Sequence, residues 1–159
     1  MPDPYTPSVV VVDDEEMVAT AVRTFLELET SYDIRDFTAP RAALDALSER
    51  PADVVVADFM MPDLDGVEFL REVRANWPQT SRILLTGYAD VQNAIRAINE
   101  VGLYYYLEKP WDNEHLKLVV RNGVERSTLV NELDARISAL EDANQELMDA
   151  RERLIKMFL

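Results

Sequence analysis

The sequence predicts an α/β fold: a doubly wound sheet of five parallel strands with helices on both faces. Two observations predict it. Short apolar runs alternate along the chain with segments in which apolar residues recur every three or four positions, the pattern of repeated βα units. Two of the apolar runs are almost wholly valine and do not alternate with polar residues, which indicates strands buried on both faces, as in a parallel sheet.

The strands are predicted from runs that stop at an acidic residue, a glycine or a proline. Four consecutive valines end the first run at Asp13, and the third run, Val-Val-Val-Ala, leads straight into Asp58. The fourth run is broken by Gly87, and the fifth is closed by Lys109 and Pro110. The predicted strands are residues 8–12, 32–37, 54–58, 82–86 and 103–107.

Five helices are predicted after the five strands, beginning near residues 17, 40, 66, 90 and 112. Pro40 suits the first turn of the second helix, and Pro78 ends the third. Asp90 can cap the fourth helix through its side-chain oxygens. The last helix shows no stop signal before the final residue.

The composition excludes several classes of protein. A net charge of −14 argues against a nucleic-acid-binding surface, which needs clustered lysine and arginine. The absence of cysteine excludes disulfides, thiol catalysis and thiolate metal sites. No run approaches the ~20 apolar residues that span a bilayer, and the N-terminus has no secretion signal. The sequence therefore predicts a cytoplasmic protein without a membrane or nucleic-acid partner.

Polar residues follow four of the predicted strands. Asp13 and Asp14 follow the first strand, Asp58 ends the third, Thr86 ends the fourth and Lys109 follows the fifth. Right-handed crossovers bring the loops after parallel strands to one edge of the sheet, where doubly wound folds bind their ligands. A single aspartate there is often only a turn residue. Five such residues at one edge indicate a functional site.

The residue types at this edge point to a particular chemistry. Clustered carboxylates raise one another's pKa and stay ionised only beside a cation. Because the chain has no cysteine and these loops contain no histidine, a hard oxygen-binding ion is expected, and Mg²⁺ fits better than zinc. A carboxylate nucleophile, a divalent metal, a lysine and a hydroxyl are the groups needed for phosphoryl transfer onto an aspartate.

These residues closely resemble the receiver domains of response regulators in two-component signalling, over about residues 8–122. The resemblance implies the flavodoxin-like strand order 2-1-3-4-5. It also implies phosphorylation by a cognate histidine kinase or phosphotransfer protein. The motifs that carry it are Asp13-Asp14, Asp58 with Pro62 and Gly66, Thr86-Gly87, and Tyr106 three residues before Lys109-Pro110.

The resemblance assigns a role to each matching position. Asp58 is expected to be the phosphoacceptor. Asp14, Asp58 and the backbone carbonyl of Met60 are expected to bind Mg²⁺ directly, and Asp13 mainly through water.

The other residues that match the receiver motifs are expected to interact with the phosphoryl group or to respond to it. Lys109 is expected to contact the acyl phosphate, and Thr86 to be drawn towards the phosphoryl oxygen. Tyr106 is expected to turn inward into the space that Thr86 vacates.

The C-terminal segment carries a heptad pattern, which divides the chain into a receiver at 1–122 and a coiled-coil signalling helix at 123–159. Valine or isoleucine at a positions with leucine at d positions favours a parallel two-stranded coil, hence a homodimer. Asn144 at an a position would fix register and the dimeric state. The alternative is a helix that packs back on its own receiver. The predicted seam is Val130, Leu133, Ile137, Leu140, Asn144, Leu147 and Leu154.

The apolar final residues suggest that the helix leads to an output domain, and the Tyr106–Asp112 region resembles receivers joined to enzymatic outputs. Two other functions fit part of this pattern. A Mg²⁺-dependent phosphatase with an aspartyl nucleophile needs an acid two residues after the nucleophile, where Met60 stands. In a purely structural dimerisation module, the acids would only hold an ion.

Overall fold

The computed structural model describes residues 6–87, 92, 95 and 98–159. A π-helical segment, Ile98–Gly102, precedes the last strand. The strands are β1 Ser8–Val12, β2 Asp33–Phe37, β3 Val54–Asp58, β4 Ser81–Thr86 and β5 Tyr105–Glu108. The α-helices are α1 Glu16–Glu29, α2 Pro40–Glu49, α3 Gly66–Asn76 and α4 Asn113–Phe158.

The five strands form one parallel sheet in the order β2-β1-β3-β4-β5. The predicted doubly wound fold and its strand order are therefore confirmed. The order reverses between β1 and β3, so the loops that follow these two strands diverge there and leave a crevice at the carboxyl edge of the sheet.

The core has one apolar layer on each face of the sheet, because neighbouring residues of a strand point to opposite faces. Val10 and Val12 of β1 pack in the layer that contains Phe69 of α3. Val9 and Val11 pack in the other layer, with side chains from α1 and α4. The consecutive valines are thus explained: all five residues of β1 are buried, and the strand needs apolar side chains on both faces.

The boundaries of β5 differ from the sequence-based prediction. β5 was predicted at residues 103–107 but begins at Tyr105, which pairs with Ile83, and ends at Glu108. The strand starts later because the π-helical segment continues to Gly102, which adopts a positive φ of 65° and turns the chain towards the sheet. The predicted cap of the fourth helix, Asp90, lies outside the described residues; Gln92 and Ile95 are helical.

The chain divides into two compact units, Met1–Ser127 and Thr128–Leu159. The second unit is helical through Phe158 and exposes the apolar side chains of the predicted seam: Leu133, Ile137, Leu140, Leu147 and Leu154 are each 44–70% exposed. The coiled coil and the division at residue 122 stay predictions. Across the described ranges, no helix is both long and apolar enough to cross a membrane.

Candidate functional site

The carboxyl ends of β1 and β3 bring three aspartates together. These strands are parallel neighbours, with Val12 opposite Ala57, so Asp13 and Asp58 come next on adjacent strands. Asp13 and Asp58 are buried, whereas Asp14 is exposed. One carboxylate oxygen from each of the three lies within 4.8 Å of the others. The predicted acidic cluster is therefore present in the fold.

Lys109 joins this cluster from the end of β5. Its Nζ lies 2.9 Å from Oδ1 of Asp58 and 3.4 Å from Oδ2 of Asp13. Since β4 lies between β3 and β5, the lysine side chain spans a strand to reach the acids. The Lys109–Pro110 peptide bond that follows is cis.

The pKa values of both buried acids of the cluster are raised, chiefly by burial. Burial, together with the charge of Asp14, raises the pKa of Asp58, although the hydrogen bond and charge of Lys109 act in the opposite direction. Burial and the charge of Asp58 likewise raise the pKa of Asp13 against the hydrogen bond from the Glu15 backbone. One lysine therefore does not fully compensate the ionised acids.

The two buried acids also change the pKa of Lys109. Burial by itself would lower the pKa of Lys109, but the hydrogen bond to Asp58 and the charges of Asp13 and Asp58 outweigh it. The net effect raises the pKa, so the ammonium group is charged at neutral pH.

Backbone contacts hold the loop after β3 under the site. The amide of Phe59 donates to the carbonyl of Leu85 at 2.8 Å, and the amide of Gly66 donates to the carbonyl of Phe59 at 3.0 Å. A Cβ atom at Gly66 would lie only 2.2 Å from the carbonyl oxygen of Asp58. The sequence placed Gly66 at the start of the third helix but did not predict this close approach. A glycine at the first position of a helix was the available signal.

The predicted switch residues lie on neighbouring strands. Thr86 is buried at the end of β4, and its hydroxyl donates to the carbonyl of Gly87 at 3.2 Å. Tyr106 pairs with Leu84, two residues before Thr86, so Tyr106 and Thr86 share a face of the sheet. The Tyr106 ring is partly buried and stacks on Tyr105, with centroids 6.2 Å apart. Among the described residues, no hydrogen bond joins Thr86 to the acids.

The donor set suits a hard divalent cation. The three carboxylates supply oxygen only, from atoms close enough to share one ion, and the buried acids bear more negative charge than Lys109 balances. Met60 follows Asp58 by two residues and is 63% exposed, and the role of its backbone carbonyl as a metal ligand stays a prediction.

Comparison with known proteins identifies the family. The family model for the response regulator receiver domain matches residues 9–121. The chain belongs to the response regulator receiver domain family. This confirms the resemblance found in the sequence, and the general function of the family is to accept a phosphoryl group on an aspartate in signal transduction.

Relatives of this receiver domain include both regulatory proteins and isolated receivers. It is 39% identical over 126 residues to the hydrogenase transcriptional regulatory protein HoxA of Cupriavidus necator, covering 79% of this chain and 26% of that protein. The receiver domain protein of Clostridium thermocellum has a TM-score of 0.73 and 30% identity, with 78% and 98% of the two chains covered. The signal receiver domain of an HD domain-containing protein from Pseudomonas fluorescens has a TM-score of 0.73 and 32% identity. The match covers 77% of this chain and 98% of that chain.

The chain spans about a quarter of the length of curated relatives such as HoxA of Cupriavidus necator and the regulatory protein AtoC of Escherichia coli. The likeness therefore concerns the receiver and not the other regions of those proteins.

Proposed function

We propose that Asp58 is the phosphoacceptor of this receiver domain. The contact between Lys109 and Asp58 at 2.9 Å, inside a cluster of three carboxylates, is the observation that carries the proposal. Asp58 is the one acid of the cluster that ends a central strand and also touches the lysine at close hydrogen-bonding distance. A histidine kinase or a phosphotransfer protein is the proposed donor.

Mg²⁺ is the proposed cofactor, held by Asp14, Asp58 and the carbonyl of Met60, with Asp13 acting through water. When bound, the ion supplies positive charge that offsets the acids and the incoming phosphoryl oxygens. The raised pKa values of Asp13 and Asp58 support this assignment, because burial, the main cause, and the repulsion between the acids both disfavour the ionised carboxylates, whereas a bound cation would favour them.

In the proposed reaction, a carboxylate oxygen of Asp58 attacks the phosphorus atom of a phosphohistidine. The P–O bond forms as the P–N bond breaks, and the leaving imidazole nitrogen takes up a proton from solvent. Lys109 offers its ammonium group to the charge on the phosphoryl oxygens. The domain thus promotes its own phosphorylation and dephosphorylation and turns over no separate substrate.

The proposed switch uses Thr86 and Tyr106. The Thr86 hydroxyl exchanges the carbonyl of Gly87 for a phosphoryl oxygen, and the partly buried ring of Tyr106 moves into the vacated space. Their common face of the sheet supports this coupling. Phosphorylation then shifts the population between two arrangements of the surface around β5 and the start of α4.

The proposed partner of the second unit is another copy of the same chain. The exposed apolar seam and the heptad pattern support a parallel coiled coil. Because α4 runs without interruption from Asn113 to Phe158, a shift at its start can alter how the paired helices meet. The controlled output domain, proposed to be enzymatic, and the cytoplasmic location stay predictions.

Intact-mass spectrometry tests the acceptor. We expect acetyl phosphate with Mg²⁺ to add one phosphoryl group to the wild-type chain and none to Asp58→Asn, with beryllofluoride stabilising the wild type only. Asp45→Asn is the matched control, since Asp45 is an exposed aspartate on α2 that is not part of the acidic cluster. A mass gain that survives Asp58→Asn would contradict the proposal.

A second measurement tests the link to the coil. Cysteine crosslinking at position 140 or 147 should change when beryllofluoride is added. Crosslinking that is indifferent to beryllofluoride would leave the acceptor assignment standing and remove the proposed signal path.

A further inference from the structure

Three arginines meet at the end of the sheet opposite to Asp58. Arg82 is the second residue of β4, whereas Thr86 at the site edge is its last. Arg74 lies in the last turn of α3, and Arg126 lies on α4 within the first unit. We call Arg74, Arg82 and Arg126 the amino-edge arginine cluster.

Arg82 is a buried cation whose side-chain hydrogen bonds to the described residues all go to backbone carbonyls. Only 4% of the surface of Arg82 is exposed. Nε and Nη2 donate to the carbonyl of Gly102 at 3.2 and 3.0 Å. Nη1 donates to the carbonyls of Pro78 and Thr80 at 3.3 and 3.0 Å. None of these described partners carries a negative charge.

Arg74 lies beside Arg82. The position of a Cβ atom on Gly102 would be 3.5 Å from both Cζ of Arg74 and Nη2 of Arg82, so the two guanidinium groups approach the same point. Arg74 is exposed and donates to the carbonyl of Glu100 at 3.0 Å. The carboxylate of Glu100 is paired with Arg71.

Arg126 completes the cluster from α4. It donates to the hydroxyl of Ser81 at 3.2 Å, and its Cζ atom lies 5.9 Å from the centroid of the Tyr104 ring. Its side chain is half-buried. In the part of the chain that the structure describes, no ion pair joins any of the three clustered arginines to a carboxylate.

The charge arrangement is unusual for a chain of net charge −14. Buried charges in proteins are normally paired, because leaving water is costly without a counter-charge. Here burial and the positive charges of Arg126 and Arg74 together lower the pKa of Arg82 to about 10. The positively charged neighbours of Arg82 therefore repel its guanidinium group, whereas a buried arginine is normally paired with a negative charge.

We propose that the amino-edge arginine cluster binds a phosphate group, either as free inorganic phosphate or as part of a nucleotide. The planar guanidinium fork pairs with two oxygens of a phosphate, which makes arginine the suited residue. Arg74 and Arg126, the more exposed members, contact the anion. The buried Arg82 adds its positive charge to the electrostatic attraction. This site lies at the other end of β4 from the phosphoacceptor and is independent of it.

The test is a titration of the full chain, in EDTA and at constant ionic strength, followed by NMR of the Arg82 Nε–H and Gly102 amide signals. Inorganic phosphate and AMP are used separately, which distinguishes the two sources. We expect saturable shifts, with affinity weakened about tenfold in Arg74→Gln or Arg126→Gln, the loss of one charge-assisted contact. Arg121→Gln, the same charge change on α4 outside the cluster, should stay within twofold of wild type.

Several results would overturn the proposal. These are no saturable shift with either probe, an equal loss of affinity in Arg121→Gln, or a loss in Asp58→Asn, which would place binding at the acidic site. Arg74→Gln keeps the test valid if Arg126→Gln unfolds, because Arg74 is exposed and donates only to a backbone carbonyl among the described contacts.

Discussion

At the scale of single residues, Lys109 is the group on which the acidic site depends. Its ammonium group is shared by Asp58 and Asp13, and the charge remains because the two acids raise its pKa despite burial. A charged partner of this kind contributes about 1.5–3 kcal/mol to an interaction.

We therefore expect Lys109→Ala to slow phosphorylation by acetyl phosphate at least about tenfold, since ~1.4 kcal/mol in the barrier is a factor of ten. Intact-mass time courses measure the rate. Lys117→Ala is the matched control, because Lys117 pairs with Glu29 and Glu114, away from the acids. Equal rates in the two variants would show that Lys109 does not contact the reacting phosphoryl group.

The raised pKa of Asp13 predicts a pH-dependent effect on stability. A carboxyl whose pKa is higher in the fold than in the unfolded chain binds its proton more tightly when folded, so ionisation costs stability as pH rises. In EDTA, Asp13→Asn should therefore raise the free energy of unfolding at neutral pH. The gain should shrink as pH falls through the raised pKa towards the ordinary value of 3.8.

Urea unfolding at several pH values checks this prediction. Asp45→Asn, an exposed aspartate on α2, controls for the change of one charge in an acidic chain. A gain that grows on acidification has the wrong sign and would refute the role of burial. Mg²⁺ should reverse the effect at neutral pH, because it favours the ionised carboxylate.

At the scale of elements, the start of α3 fixes the position of the loop beneath Asp58. The Asp65 side chain caps the helix by accepting from the Glu68 amide at 2.9 Å, and Gly66 lets the first turn approach the backbone of β3. Helix α3 and the acceptor strand are therefore in contact through main-chain atoms, which cannot yield as a flexible side chain can.

Gly66→Ala should destabilise the protein by about 1–3 kcal/mol and slow phosphorylation, since the new Cβ must displace the Asp58 carbonyl. Urea unfolding and mass spectrometry measure the two effects. Gly123→Ala is the comparison: its Cβ would meet side-chain atoms of Val54 and Ser81 at 3.2 and 3.4 Å, and alanine favours a helix by ~1 kcal/mol. If both variants behave alike, the close approach at Gly66 is unimportant.

At the scale of the whole molecule, the two units are expected to do different work. The first contains the sheet and the acidic site, and the second exposes a row of apolar side chains. An isolated helix of this kind is marginal in water unless its apolar face is covered.

Leu140→Glu should convert a dimer to a monomer, because it places two like charges in the seam of a parallel coil. Sedimentation measures the oligomeric state, and phosphorylation of Asp58 should be unchanged. Ser138→Glu adds the same charge two residues away, at an exposed position outside the seam. A wild-type chain that is monomeric at high concentration would exclude the coiled coil and favour a helix packed on its own receiver.

Much of the fold was predictable from local patterns. The valine runs of β1 and β3 indicate strands that are buried on both faces of the sheet. The strand order was predicted from the motif residues that resemble those of receiver domains. The start of β5 was not predictable, because the left-handed Gly102 and the π-helical segment before it depend on contacts with Arg74 and Arg82.

Local patterns along the chain specify the parallel sheet and the edge at which its acids gather, because strand patterns and loop positions depend on residues close together in the sequence. The three-dimensional packing is needed to show that Lys109 reaches Asp58 across a strand, that Gly66 must lack a side chain, and that the arginines at the opposite edge meet without an acidic partner among the described residues. Those features depend on distances between residues far apart in sequence, and on burial, which no local pattern specifies.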